Sequence, residues 1–117
     1  MIEKKLSNCL ALETDTIKKC ILNLERSTKQ IIFVVKKNKV LLGSLTDGDI
    51  RRAILNNYDL NDSIKKIYKK NPIKISKVIS NLKAIEIMHQ RRINHLPVVN
   101  KDNKIKYFYE RNLFNSN

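Results

Sequence analysis

The stretch Leu42-Gly-Ser-Leu-Thr-Asp-Gly-Asp-Ile-Arg-Arg52 holds the end of one element and the start of the next. Val40 to Leu45 reads as a short return strand. Thr46-Asp-Gly-Asp49 then supplies helix-capping residues, and Ile50, Ala53 and Ile54 follow on the inner face of a helix. Working back, Lys36-Lys-Asn-Lys39 is a hairpin turn with Asn38 as the turn former, and Gln30-Ile-Ile-Phe-Val-Val35 is its buried partner strand. Further back, Glu13-Thr-Asp-Thr16 offers N-cap residues to a helix whose Ile17, Cys20, Ile21 and Leu24 recur at helical spacing.

The same plan recurs about 64 residues later. Pro72-Ile-Lys-Ile75 is a short strand, Ser76 to Asn81 contains capping candidates, and Leu82, Ile85 and Met88 form a helical apolar stripe. Asn94-His-Leu-Pro-Val-Val99 matches the strand at Gln30 to Val35. Asn100-Lys-Asp-Asn103 is the turn, Ile105 to Tyr109 the return strand, and Glu110 to Phe114 a short last helix. The boundaries are therefore 1–57 for the first repeat, 58–71 for a linker and 72–117 for the second repeat. The linker should hold a short helix, Asp62 to Tyr68, with Ile64, Ile67 and Tyr68 facing inward. Neither repeat alone has enough core, so the two should pack as one unit. Ile54, Leu55, Ile85 and Met88 are candidates for core or for an interface, and their spacing leaves both open.

The 117 residues suffice for one compact domain or two very small packed repeats, and with 42% hydrophobic residues the chain can form a core. No apolar run approaches the roughly 20 residues of a membrane span. Met1 to Leu10 lacks the apolar core of a signal peptide, so a cytoplasmic location is expected. Cys9 and Cys20 lie in an amphipathic region and read as small buried hydrophobes. The net charge of +13 invites a nucleic-acid reading. Against it, the excess is mostly lysine spread over every segment, beside abundant Asn and Ile and only 2 Gly, the mark of coding bias. Aromatics for base stacking are scarce, at 6%. A basic surface still suits anionic small molecules or an acidic partner. Two distant histidines and scattered carboxylates give a metal no support. With no nucleophile–base pair and no P-loop, the chain does not read as an enzyme.

The strand-to-helix junction carries the chemistry. The Thr46 hydroxyl can donate to a phosphate oxygen, and the first amides of the following helix favour an anion there. Gly48 lets a ligand approach the backbone. The Asp49 carboxylate can accept from both hydroxyls of a ribose, and Arg51 or Arg52 could pair with a phosphate bidentately. Thr-x-x-Asp before a helix is equally an ordinary capping arrangement, so the residues by themselves leave both readings open.

The repeated β-α-β-β-α plan, the Gly43…Thr46…Asp49 signature and Ile93-Asn-His-Leu-Pro-Val-Val99 together resemble the CBS domain pair, or Bateman module, over Leu10 to Leu113. The wording Thr-Asp-Gly-Asp-Ile-Arg-Arg is similar to pairs attached to bacterial sugar-phosphate enzymes. These are sugar nucleotidyltransferases of surface-glycan synthesis, including guanylyltransferases that feed legionaminic acid synthesis, and arabinose-5-phosphate isomerases. The resemblance implies an α/β fold of two repeats with pseudo-twofold symmetry, a homodimer, and an attached or partner catalytic domain. It implies a regulatory ligand, AMP or a related adenine nucleotide or a nucleotide sugar, with no cofactor required. Thr46 would contact phosphate and Asp49 the ribose. Ile31, Ile32 and Phe33 would offer backbone groups and an apolar wall to the base, and Ala11 would close the other side.

The second repeat departs from the pattern. Tyr107, Glu110 and Leu113 stand where Gly43, Thr46 and Asp49 stand in the first. The small residue is gone, a carboxylate replaces the hydroxyl and would repel phosphate, and the ribose acceptor is missing. At most one well-formed site is expected, in the first repeat. His95 either touches a ligand phosphate there, as the resemblance implies, or is simply packed and hydrogen-bonded. The remaining readings are a ligand-free dimerisation scaffold and, from charge alone, a nucleic-acid binder.

Overall fold

A computed structural model of the chain describes residues 3–6, 8–27 and 29–111. The elements run β1 (Glu3–Lys4), β2 (Leu10–Leu12), α1 (Ile17–Ser27), β3 (Ile31–Val35), β4 (Leu41–Thr46), α2 (Asp47–Leu55), a 3-10 turn (Ile64–Lys66), β5 (Lys69–Lys70), α3 (Asn81–Arg91), β6 (His95–Val99) and β7 (Ile105–Glu110). They divide into two compact units, Ser7–Pro72 and Met1–Leu6 with Ile73–Asn117.

In the Ser7–Pro72 unit the sheet order is β2-β3-β4-β5. β3 is buried along its whole length. It runs parallel to β2, with Ala11 opposite Val34, and antiparallel to β4, with Ile31 opposite Thr46 and Ile32 opposite Leu45. Alternation along the strands sends Ile32, Val34 and Leu45 into a core with Ala11, Ile17, Cys20, Ile50, Ala53, Ile64 and Tyr68. The helix α1 starts where Thr16 Oγ1 accepts from Lys19 N at 3.1 Å. Its next amides are satisfied by the segment after α2, for Ile17 N and Lys18 N donate to the carbonyls of Asp62 and Leu60, each at 3.0 Å. On α2, Ile50 and Ala53 are buried but Ile54 is 44% exposed, so Ile54 is not on the inner face expected of it. It lies about 100° round the helix from Ala53, the residue before it.

Residues 58–71 fold with this unit. The helix expected over Asp62–Tyr68 is a single 3-10 turn, Ile64–Lys66. It stops there because Lys69–Lys70 extends to pair with Gly43 and Ser44 as the fourth strand. Ile64 and Tyr68 are buried and Ile67 is half-buried, all against the core. Gly43 permits that closure. A Cβ on it would strike the Lys69 carbonyl oxygen and the Tyr68 ring, with Tyr68 Cε2 at 2.6 Å.

The Tyr68 hydroxyl donates to Glu13 Oε2 at 2.6 Å. Burial first, and then the Glu13 hydrogen bond and charge, push the phenol up to about 12. A phenol whose pKa is raised on folding adds stability that is complete below about pH 10 and is lost as the pH climbs towards 12. Tyr68→Phe should therefore flatten the decline of the urea midpoint between those values relative to the parent chain. At neutral pH it should cost about 1 kcal/mol, the worth of one hydrogen bond.

Cys9 and Cys20 are fully buried and form no disulfide. Burial above all, helped by the charge of Asp15, pushes the Cys20 thiol up to about 12. Neither cysteine should react with a thiol reagent such as DTNB until the chain is unfolded. Rapid labelling of the native protein would contradict this packing.

The second unit holds a three-stranded sheet in the order β1-β7-β6. β6 and β7 form an antiparallel hairpin with His95 opposite Glu110, and β1 pairs antiparallel with β7, Glu3 opposite Tyr109. Its core gathers Ala84, Met88, Leu96, Val98 and Tyr109. Tyr109 donates its hydroxyl to the Ile79 carbonyl at 2.8 Å.

Three further expectations need correction. Pro72–Ile75 is not a strand. Ile75 alone bridges in parallel to Val98, its N–H donating to the Pro97 carbonyl at 3.1 Å. Pro72 has no N–H to offer, and Asn71 before it is left-handed at φ 56°. On α3 the inward face is Ala84, Ile87 and Met88, while Leu82 and Ile85 are 77% and 39% exposed. Ser80 caps this helix, accepting from Lys83 N at 3.1 Å. Finally, Glu110 ends β7 and is not helical. The rest of the helix expected at Glu110–Phe114 lies, beyond Arg111, outside the described residues.

Candidate functional site

β4 leaves its sheet at Thr46 in an extended conformation, φ −116° and ψ 168°, and α2 begins at the next residue. Thr46 Oγ1 accepts from Asp49 N at 3.3 Å and donates to Asp49 Oδ2 at 3.0 Å, and the same oxygen accepts from Thr46 N at 2.9 Å. This is a closed capping box. It draws the Asp49 side chain to 4% exposure. A buried carboxylate needs partners for both oxygens. Oδ1 accepts from Arg52 Nη2 at 2.7 Å and has Lys69 Nζ at 3.8 Å. The side chains of Arg52 and Lys69 are themselves 63% and 69% exposed. One oxygen of Asp49 is thus bound into the helix cap, and the other meets two cations that reach solvent.

Thr46, Asp49 and Arg52 are brought together as the sequence suggests, with Ile31 in register beside Thr46. Phe33 shares the Ile31 face of β3, opposite Ser44, and both are buried. Ile32 and Ala11 send their side chains into the core on the other face. Arg51 is taken by Asp47, 2.8 Å away in an exposed pair. Lys69 was not singled out. It lies in a short lysine-rich run whose charges look alike in sequence, and only the pairing of β5 with β4 carries it to Asp49.

Gly48 has no left-handed φ. A Cβ there would meet Arg52 Nη1 at 3.5 Å, an ordinary contact. Gly48→Ala should therefore raise the stability of the ligand-free chain by up to about 1 kcal/mol, from helix propensity. If the glycine serves ligand approach, the same variant binds nucleotide less tightly. Thermal unfolding with and without ligand separates the two effects.

The residues matching this site in the second unit are differently employed. His95 Nε2 lies 3.2 Å from Glu110 Oε2, at the positions that correspond to Ile31 and Thr46, and both side chains are largely buried. The His95 ring also tilts against Phe108, at a centroid separation of 6.1 Å. Among the described residues no three His, Cys, Asp or Glu side chains gather as a metal would need. No helix of these residues is long and apolar enough to cross a membrane.

Comparison with known proteins agrees with the repeat. The chain matches the CBS domain profile twice, over residues 10–56 and 64–109. It is 37% identical over 94 residues to arabinose 5-phosphate isomerase KdsD of Francisella tularensis, a match that covers 79% of this chain and 28% of that protein. Among solved structures it is similar to CBSX2 in complex with AMP, with a TM-score of 0.77 and 16% identity over 94% of this chain and 87% of that one. It is also similar to the CBS domain pair of protein MJ0100 in complex with 5′-methylthioadenosine and S-adenosyl-L-methionine. That TM-score is 0.75, with 20% identity over 86% of this chain and 82% of that one. At such identities the structural likeness speaks for the fold.

Proposed function

The chain belongs to the CBS domain family as a tandem pair, and from that premise we propose that it is a regulatory module that binds an adenosine nucleotide, AMP in the first place, or a nucleotide sugar. The observation that carries this reading is the Asp49 carboxylate, buried yet holding its Oδ1 partner through a side chain that reaches solvent. In this reading the ribose hydroxyls donate to Oδ1, the Thr46 hydroxyl turns to the phosphate, and Ile31 and Phe33 flank the base. Ile32 and Ala11 contribute through their backbones, Gly48 gives clearance, and Arg51 stays peripheral. The complexes of CBSX2 with AMP and of MJ0100 with two adenosine compounds support the ligand class.

The regulated enzyme in this proposal handles a sugar phosphate. The motif wording suggests a sugar nucleotidyltransferase, and the match to KdsD supports a sugar-phosphate isomerase equally well. This chain spans about a quarter of that relative's length. Ligand binding would act by favouring one of two arrangements of the attached domain. Exposed Ile54 and Leu55 on α2 and Leu82 and Ile85 on α3 are proposed as homodimer contacts. A second reading, the ligand-free dimerisation scaffold, is favoured by the complete set of partners that Asp49 already has and by the His95–Glu110 pair.

Thermal unfolding in the presence of AMP, ADP, ATP, GMP, GTP, CMP and a CMP-sugar decides between them. A ligand specific to the native state should stabilise it by about 2.7 kcal/mol at a hundredfold excess over Kd. The shift should vanish in Asp49→Ala. No shift with any of the seven at millimolar concentration would leave the scaffold.

A further inference from the structure

We propose that the outer edge of β5 is a docking site for an acidic, extended protein segment, which adds as a fifth strand to the four-stranded sheet of the Ser7–Pro72 unit. Its occupant is a polypeptide, so nucleotide binding at Asp49 neither supports nor requires it. The segment Ser63–Asn71 alternates in depth. Ile64 and Tyr68 are buried and Ile67 is half-buried, while Lys65, Lys66, Lys69 and Lys70 are all exposed. The segment contains no acidic residue. Among the described residues no carboxylate pairs with Lys65, Lys66 or Lys70, and Lys69 has only Asp49 Oδ1, at 3.8 Å.

β5 ends its sheet, in the order β2-β3-β4-β5. One side of it pairs with Gly43 and Ser44. Among the described residues nothing bonds to the backbone of Lys69 or Lys70 on the other side. An open edge is a template for a further strand. Lysine keeps out a second copy of the same edge, because like charges would face each other. It does not keep out a strand that carries acids. Nor does an edge position demand lysine, for β1, which ends the other sheet, is Glu3–Lys4, one charge of each sign. The chemistry favours a polypeptide over nucleic acid. The four cations of the segment are lysines, point charges without the planar fork that suits phosphate. Its one aromatic ring, Tyr68, is buried and cannot stack on a base. Open strand groups are matched by another backbone in extended form.

The test is fluorescence anisotropy of the full chain with a labelled octapeptide of alternating glutamate and valine. The parent chain should bind it, and more weakly as salt rises. The triple variant Lys65→Glu, Lys66→Glu, Lys70→Glu should bind at least about tenfold more weakly, the compounded effect of three exposed pairs. Reversing three exposed lysines of the second unit, Lys77→Glu, Lys101→Glu, Lys106→Glu, should change binding by no more than about twofold. Circular dichroism checks that both variants fold. The octapeptide N-methylated at every residue keeps its charge and loses its backbone donors, and the parent chain should bind it at least about tenfold more weakly. That comparison needs no variant. Equal losses in the two triple variants would mean attraction to net charge alone. Equal binding of the methylated peptide, or of a single-stranded oligonucleotide of the same charge, would mean charge without strand addition. Each of these results overturns the proposal, as does a parent chain that does not bind the octapeptide.

Discussion

Gly43→Ala is expected to lower the free energy of unfolding by about 3 kcal/mol and the melting temperature by roughly 10 °C or more. The added Cβ meets two obstacles of different kinds. The Tyr68 ring can turn aside, at the expense of its hydrogen bond to Glu13. The Lys69 carbonyl cannot, since β5 is held to β4 through the pairing of Gly43 with Lys70 and Ser44 with Lys69. Space for the methyl group therefore opens only if the fourth strand separates from the sheet. Combining Gly43→Ala with Tyr68→Ala should not restore stability, because the backbone obstacle remains. Rescue by the double substitution, or a melting temperature within about 2 °C of the parent, would show that β5 yields easily.

Asp49→Ala is the second large effect, about 2 kcal/mol of stability before any ligand is considered. It removes the acceptor that Thr46 N and the Thr46 hydroxyl share, and it opens the capping box. Arg52→Ala should by contrast cost no more than about 0.5 kcal/mol, because that side chain is largely solvated and an exposed partner contributes little. Urea unfolding of the two variants side by side checks the asymmetry. Equal losses would mean that the ion pair, and not the cap, holds the carboxylate in place.

The central hairpin and the junction that follows it were legible because each residue there answers to one local rule. Ile31 to Val35 is a buried strand, Asn38 accepts from Val40 N at 3.2 Å in the turn, and Thr46 caps the helix after it. The α3 stripe was misread because Leu82, Ile85 and Met88 satisfy helical spacing as well as Ala84, Ile87 and Met88 do. The choice between those faces falls to a small alanine that packs against the sheet. The strands β1 and β5 were invisible for another reason. Each is two residues long with charged side chains, Glu3–Lys4 and Lys69–Lys70, so each is held by backbone pairing, which leaves no hydrophobic pattern. The same blindness hid Lys69 from the site. The capping chemistry of Thr46 and Asp49 is readable in the sequence, but not the degree to which each already satisfies the other.

The pairing of Glu3 with Tyr109 has a consequence for synthesis on the ribosome. The Ser7–Pro72 unit can complete its sheet once its own residues have left the exit tunnel. The strand made before it cannot, since its partner β7 emerges roughly a hundred residues later. Until then β1 has open backbone groups, and the nascent second unit lacks one edge of its sheet. Vectorial synthesis thus orders the two halves in time. The later half is closed by a strand translated before the earlier half, and until that strand pairs, the later half stays open to proteases and to pairing with its neighbours on a polysome.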